Sequence, residues 1–230
     1  MSGILAIQRR HAELFRIRLG DKGSDGLPQR LVNKIRITSA NRNVVEAFGE
    51  IYGGRPMRWE DRGKQMHQVY LPISRLPITL LPGQTLQQAM ELWAGSTCQR
   101  RCDSVTMTTG EPCACGVDVP IEERECKPVS RLTVACPEVP IVGVGLLTTR
   151  SVIAAGELDA SIGLAQSILD QGRSVSATLR IDQMVTPGHK FAVPRIELEG
   201  LTFQDLALAA SSAPSLGAGS PEPLALEGGE

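Results

Sequence analysis

The amino-acid sequence predicts an α+β fold, with a mostly antiparallel sheet, about three helices and a cysteine-rich insert. Short alternating apolar runs, separated by proline and glycine, recur along the 230-residue chain, as expected for strands joined by turns. Helical periodicity occurs in only three stretches. Five of the six cysteines fall within residues 96–128, a segment that follows neither pattern.

The first half contains one clear helix between predicted strands. "KIRITS" alternates as a strand does, and Ser39 or Asn41 then caps a helix that ends at Gly53-Gly54. The apolar positions of this helix are Val44, Val45, Phe48 and Ile51. "MHQVYLPI" and "PITLL" predict two further strands, and residues 84–94 predict a second helix that ends at Gly95.

The second half predicts strands at "SRLTVACP" and "VGVGLLTT", followed by a third helix over 159–172. Asp159 or Ser161 is the expected cap of this helix, and Gly172 its end. The expected buried stripe is Ile162, Ala165, Ile168 and Leu169. "SVSATLRIDQMV" and "KFAVPRIELEG" predict a hairpin that turns at Pro187-Gly188.

Size and composition predict a single α+β domain over residues 1–211, which carries the cysteine-rich insert at 96–128. A chain of this length buries a core without disulfides. Residues 212–230 are mostly Ser, Ala, Pro, Gly and Glu, with little to bury, so we expect a disordered tail. The formal net charge of −1 disfavours autonomous nucleic-acid binding, which usually needs a basic surface.

We expect a cytoplasmic location. Arg9, Arg10 and His11 interrupt the N-terminal apolar run before it reaches signal-peptide length. We also expect no membrane helix, because no window approaches ~18 uncharged apolar residues. Thiols stay reduced in the cytoplasm, so clustered cysteines indicate a metal site rather than disulfides.

The cysteine spacing predicts a structural zinc site, since Zn²⁺ prefers four soft ligands delivered as close pairs. Cys113 and Cys115 form one pair on a turn, and Cys98 and Cys102 share a face if the second helix continues through Arg101. The predicted ligands are Cys102, Cys113, Cys115 and Cys126, with Cys98 as the substitute. Cys136 lies in a predicted strand and is assigned to the core.

A bound metal would also explain how the insert folds. Its few apolar residues cannot order 30 residues by burial, whereas zinc supplies on the order of 10 kcal/mol in small zinc-binding peptides. These apolar residues are Val105, Met107, Val117, Val119 and Ile121. Reduced cysteines without metal, an iron–sulfur cluster and a disulfide remain alternatives.

Catalytic signatures are missing from the sequence. The three histidines, His11, His67 and His189, lie in separate polar contexts, and no nucleophile elbow or phosphate-binding loop occurs. An enzyme is therefore not the expected class of protein. One alternative is a metal-dependent enzyme of the hydrolase class that acts on nucleic acid. Another is a DNA-binding accessory protein that uses Arg55, Arg58 and Arg62.

Several sequence segments are specific enough to indicate a protein family. In chain order they are "ILAIQRR", "IYGGRPMRWE", "ELWAGSTCQRRCD", "PCAC", "CKPVSRL", "PIVGVGLLTTRSVIAAGEL" and "KFAVPRIEL". Together, over residues 4–199, the chain resembles the recombination directionality factors of actinobacterial temperate phages, which partner large serine integrases. It departs from that pattern at Ser96-Thr97, where the family commonly has Gly-Gly, and at Val152-Ile153, where aromatics are usual.

The resemblance implies an accessory protein that binds its integrase on attachment-site DNA. The bound factor redirects the integrase from integration at attP and attB to excision at attL and attR. Little autonomous DNA binding and no catalytic residue are expected. We place the integrase contact on a semi-exposed apolar surface around Val142–Leu147 and Phe191–Ile196.

Overall fold

A computed structural model describes residues 13–22, 28–31, 33–61, 63–83, 85–116, 118–121, 123–186 and 189–211. Several predictions fall outside these ranges: the tail at 212–230, the Pro187-Gly188 turn, and the positions of His11, Arg62 and Val117. The limits of the single domain, 1–211, likewise stay a prediction.

Thirteen strands and three helices make up the described residues. The strands are β1 Glu13–Arg18, β2 Gly20–Lys22, β3 Pro28–Arg30, β4 Ile35–Ser39, β5 Met57–Asp61, β6 Lys64–Leu71, β7 Arg75–Leu80, β8 Leu86–Ala94, β9 Thr97–Cys102, β10 Lys127–Ala135, β11 Val144–Thr149, β12 Val175–Thr186 and β13 His189–Leu198. The helices are α1 Arg42–Tyr52, α2 Val152–Asp170 and α3 Phe203–Ser211.

Eleven strands form one sheet in the order β13-β12-β7-β10-β11-β1-β4-β6-β5, with β8 attached to β10 and β9 attached to β8. Strands β2 and β3 form a separate two-stranded sheet. Within the large sheet the β1–β11 pair is parallel and the other pairs are antiparallel. The predicted α+β class is therefore confirmed.

The core lies where alternate strand residues meet α1 and α2. In β7, Leu76, Ile78 and Leu80 are buried while the residues between them are exposed or half-buried, the period-2 pattern of a sheet with one covered face. Phe15 of β1 meets Phe48 of α1 edge to face, with ring centroids 4.8 Å apart. Both helices contribute buried side chains to this one core.

Helix α1 follows the prediction. The Asn41 side chain accepts a hydrogen bond from the backbone N–H of Asn43 (3.0 Å), and Gly53 ends the helix with a φ of 78°. Val44, Val45 and Phe48 are buried as expected. Ile51, predicted on the same face, is instead 47% exposed.

The predicted second helix at 84–94 is wrong, because Leu86–Ala94 form strand β8. Both edges of β8 are paired, with β10 on one side and β9 on the other. These backbone pairings override the high helical propensity of Gln, Leu and Met, because tertiary context routinely outweighs local propensity. The third helix of the structure is α3, which was not predicted.

Helix α2 begins seven residues earlier than expected. Ser151 is its N-cap, accepting a hydrogen bond from the N–H of Ala154 at 3.2 Å, and the predicted caps Asp159 and Ser161 lie inside the helix. The predicted stripe is confirmed, since its four residues are buried. Strands β12 and β13 pair up to Thr186↔His189, as the predicted hairpin requires.

By length and composition alone, α2 is apolar enough to span a membrane, with a mean hydropathy of 1.3. The expectation of no window with ~18 uncharged apolar residues still holds, because Glu157 and Asp159 lie within this helix. A helix whose face packs on a sheet passes the same test, and Leu158, Ile162 and Ala165 of α2 pack in the core.

Candidate metal centre

The predicted ligands lie beside the branch of the sheet formed by β9, β8 and β10. Cys102 is the last residue of β9, and Cys126 directly precedes β10. Met90 of β8 is the register partner of Cys102 on one side and of Pro128 on the other. The ordered strands thus hold the two ends of the irregular loop 103–126, which carries the remaining cysteines.

Four cysteines and one methionine form what we call the cysteine cluster: Met90, Cys102, Cys113, Cys115 and Cys126. The Sγ atoms of Cys102, Cys113 and Cys126 lie within 4.8 Å of one another. Cys115 is buried in the same cluster. Such a group of buried thiols could hold a metal ion.

Cys98 lies apart from this cluster. Its side chain is half-buried, and its thiol donates to the backbone carbonyl of Arg100 at 3.4 Å. The expected helical face shared by Cys98 and Cys102 does not exist, because both residues lie on strand β9. The insert was also expected to be irregular from residue 96, but regular pairing continues to Cys102.

Backbone hydrogen bonds shape the loop around the sulfur atoms. The N–H of Cys113 donates to Val105 O at 2.7 Å, and that of Gly116 donates to Cys113 O at 3.2 Å. Gly116 has a φ of 71°, which a glycine adopts without strain, so the turn after Cys115 is tight. Asp103 accepts from the N–H groups of Val105 and Thr106 at 2.9 and 2.7 Å.

The clustered thiols differ in how readily they lose a proton. A hydrogen bond from the backbone N–H of Cys115 lowers the pKa of Cys113 to about 7. Burial raises the pKa of Cys102, and burial together with the Cys115 thiol raises that of Cys126. The Arg100 guanidinium, 3.7 Å from the Cys115 sulfur, supplies a positive charge beside them. The cluster therefore combines soft sulfur donors with a partial charge balance.

A buried carboxylate ties the cluster to the rest of the sheet. Glu91, with a fully buried side chain, accepts hydrogen bonds from Arg131 at 2.8 and 2.9 Å and from Arg101 at 2.8 Å. Trp93 Nε1 donates to the same carboxylate at 2.8 Å. Burial by itself raises the pKa of Glu91, but the hydrogen bonds and charges of these partners lower it below its usual range.

Sequence reasoning missed this Glu91 network. Its only sequence signal is an acidic residue between Met90 and Leu92, which reads equally well as the exposed face of a helix. Once β8 is a strand paired on both sides, Arg101 is the register partner of Glu91 on β9, and Arg131 extends from β10. The network joins three strands next to the cysteine cluster.

Other candidate residues lie elsewhere. Cys136 is buried in the main core, as predicted. His67 lies on β6, outside the cysteine cluster, and the backbone of His189 lies on β13. Arg55 and Arg58 are exposed; Arg58 lies on the sheet-edge strand β5, and Arg55 lies two residues before it.

The predicted integrase contact is only partly exposed. Val142 is 99% exposed, but Val144 and Leu147 are buried, and so are Val193 and Ile196 of the second stretch. These strands face the core, where alternation along a sheet places every second side chain. Half of the residues in each stretch are buried, so only the others can reach a partner, and the contact with the integrase stays a prediction.

The family model described as Gp3-like, recombination directionality factor-like, matches residues 16–199 of the 230-residue chain. The chain belongs to this family. Neither the curated proteins nor the solved structures give a significant match to it.

The matched range of this directionality factor-like protein contains the whole cysteine cluster and the Glu91 network. It ends just after β13, so helix α3 lies beyond it. The family assignment indicates a regulatory role in recombination, with a recombinase as partner.

Proposed function

We propose that this protein binds a phage-encoded large serine integrase on attachment-site DNA and switches it from integration to excision. It promotes recombination between attL and attR and inhibits recombination between attP and attB. The observation that carries this proposal is the family match over residues 16–199, which spans most of the described sheet. The protein acts in the cytoplasm of the bacterial host.

The physical basis is differential binding rather than catalysis. A ligand redirects an equilibrium only by binding one state of the integrase–DNA complex better than another. A tenfold bias needs about 1.4 kcal/mol of differential binding, and a near-complete switch about 5.5 kcal/mol. A net charge of −1 suits a protein that acts through contacts with another protein.

A structural Zn²⁺ is the proposed cofactor, held by Cys102, Cys113, Cys115 and Cys126. The fit rests on buried sulfur donors, three of them within 4.8 Å of one another, and on Arg100 next to Cys115. Zinc prefers four such ligands, and a site closed by four thiolates serves structure. Cys98, outside the cluster, is not part of the proposed set.

Recombination in vitro tests the function. Purified integrase is given either attP and attB or attL and attR, with and without this protein. We expect the protein to promote the second reaction and suppress the first, with an effect that saturates at stoichiometric amounts because each complex must be occupied. The protein alone should cut and join neither pair.

Two results would contradict the proposal. Saturation at catalytic amounts, or DNA cleavage without any integrase, would favour a metal-dependent enzyme. An unchanged integrase reaction on both site pairs would remove the directionality role altogether.

A further inference from the structure

Arg100 connects the three parts of the chain that carry the proposed zinc ligands. It lies on β9 two residues before Cys102, so the two side chains leave the strand on the same face. Its Nη1 atom donates a hydrogen bond to the sulfur of Cys115, in the loop, at 3.7 Å. Its Nη2 atom lies 3.1 Å from Oε2 of Glu125, the residue directly before Cys126.

The adjacent arginine of β9 lies on the opposite face of the strand. Arg101 is the register partner of Glu91 and forms an ion pair with it at 2.8 Å. A shift in register then moves Cys98 to that face as well, because Cys98 pairs with Trp93 of β8. The contact with the cluster sulfur atoms therefore depends on the position of Arg100 and not on its strand alone.

The charge of the proposed site explains why a cation lies here. Four thiolates outweigh the charge of one Zn²⁺ by two negative charges, and none of the four cysteines is more than 8% exposed. Buried charge is unfavourable unless opposite charges and hydrogen bonds compensate it. The Arg100 guanidinium provides a positive charge and an N–H group directed at sulfur.

Glu125 holds the guanidinium in this orientation. Its side chain is 69% exposed, so the ion pair by itself contributes little to stability. A guanidinium directs its N–H groups in fixed directions, whereas the lysine ammonium is a point charge on a flexible stem. Lysine at position 100 would therefore keep the charge but lose the two directed contacts.

We propose that Arg100 is a positioning residue for the metal, which sets how tightly the cysteine cluster holds Zn²⁺. It balances the thiolate charge, and it fixes Cys115 and the segment before Cys126 relative to Cys102. Groups that hydrogen-bond to metal ligands typically change metal affinity about 10–100-fold when they are substituted. The inference rests on the proposed zinc site, and it adds a residue that does not itself bind the metal.

Zinc affinity tests this role in the full chain. Wild type, Arg100→Gln, Arg100→Lys and Arg101→Gln are each titrated with zinc in competition with a chromophoric chelator. We expect Arg100→Gln to weaken binding about 10–100-fold, and Arg100→Lys to weaken it less because it keeps the charge. Arg101→Gln is the matched control, since it removes the same charge from the opposite face, and it should leave zinc affinity unchanged.

Co²⁺ in place of zinc gives a readout that a purely structural role would not move. A hydrogen bond to a thiolate stabilises the sulfur electrons, so its loss should shift the sulfur-to-cobalt charge-transfer band to longer wavelength. We expect this shift in Arg100→Gln and not in Arg101→Gln. Circular dichroism of the zinc-saturated proteins verifies the fold, and Arg100→Lys provides the comparison if Arg100→Gln does not fold.

The remaining outcomes separate the role of Arg100 from the site itself. Wild-type zinc affinity and an unmoved charge-transfer band in Arg100→Gln would overturn the role of Arg100 and leave the zinc site standing. Equal weakening in Arg100→Gln and Arg101→Gln would indicate a general effect on β9, against the proposal. A wild-type protein that binds neither zinc nor cobalt would remove the zinc site, and the role of Arg100 with it.

Discussion

The main core and the cysteine cluster are stabilised by different chemistry, although they lie in one sheet. The core encloses large apolar side chains such as Phe15, Phe48, Leu132 and Leu147, each almost fully buried. At about 25 cal/mol per Å² of apolar area, such burial offsets the entropy cost of folding. The cysteine cluster offers four small thiols and one methionine, a far smaller apolar area.

The loop that carries the cysteine cluster must offset its entropy cost of ordering with less apolar burial than the main core has. Residues 103–126 contain no strand or helix in their described part, so backbone hydrogen bonds within turns and loops hold them. Ordering each residue costs roughly 1–2 kcal/mol, which the few apolar contacts of this loop do not recover. We therefore expect the loop to depend on a bound metal for its order, whereas the main sheet does not.

Loss of the metal should have the largest effect, and it should affect the loop 103–126 but not the main core. Protein purified without added metal should contain near one zinc per chain, and Cys126→Ser should lose it. In that variant hydrogen exchange should become fast over 103–126, because coordination worth on the order of 10 kcal/mol is gone. Exchange in β7 and β12 should stay slow, since their core is independent of the metal.

Cys98→Ser is the matched control for the metal prediction, because Cys98 lies outside the cluster. This variant should retain its zinc, and hydrogen exchange over 103–126 should remain slow. A metal-free protein with slow hydrogen exchange over 103–126 and full activity would show that the loop folds without coordination. The loop and the main core would then not differ in what stabilises them.

Glu91→Gln should lower the free energy of unfolding by about 3 kcal/mol at neutral pH, because Arg131 and Arg101 lose a buried ionic partner. Glu91 links the strands of the main sheet to the strand that ends at the cysteine cluster. The folded-state pKa of Glu91 is lowered, so its contribution is present above the usual value of 4.5. That contribution is lost as pH falls through the lowered pKa. Denaturant unfolding from pH 7 to pH 3 measures this; a difference in unfolding free energy between wild type and variant that does not narrow as pH falls below 4.5 would refute the assignment.

Gly145→Ala should damage only the main core. A Cβ at this position would lie 2.1 Å from Cε2 of Phe15, a buried ring that has little room to move. We expect a loss of about 1–3 kcal/mol in unfolding free energy, measured in urea, with zinc content unchanged. Gly163→Ala, at an exposed position of α2, is the control and should be neutral or slightly stabilising. Equal stability of the two variants would contradict this packing.

Deletion of residues 212–230 should have the smallest effect. Their composition offers little apolar area to either region, so stability and the recombination switch should stay near wild type. The truncated chain is compared with the full chain in urea unfolding and in the excision reaction. Insolubility of the truncated protein, or its complete inactivity, would assign the tail to the structure.

Local patterns in the sequence predicted the elements whose signals are local. The strand "KIRITS", the cap Asn41 and the buried stripe of α2 follow from alternation, capping chemistry and helical spacing, each complete within a few residues. The concentration of cysteines at 96–128 likewise indicated a metal site. The segments resembling directionality factors indicated the family that the comparison shows.

Long-range pairing decided the remainder. Leu86–Ala94 form strand β8 because β9 and β10 hydrogen-bond to its two edges, a contact that no local propensity encodes. The same pairing brought Arg101 and Arg131 onto Glu91 and separated Cys98 from the cysteine cluster. Which side of α2 is covered depends on the strands that pack against it, because apolar residues outside the buried stripe, such as Ile153 and Leu164, left more than one choice of buried side.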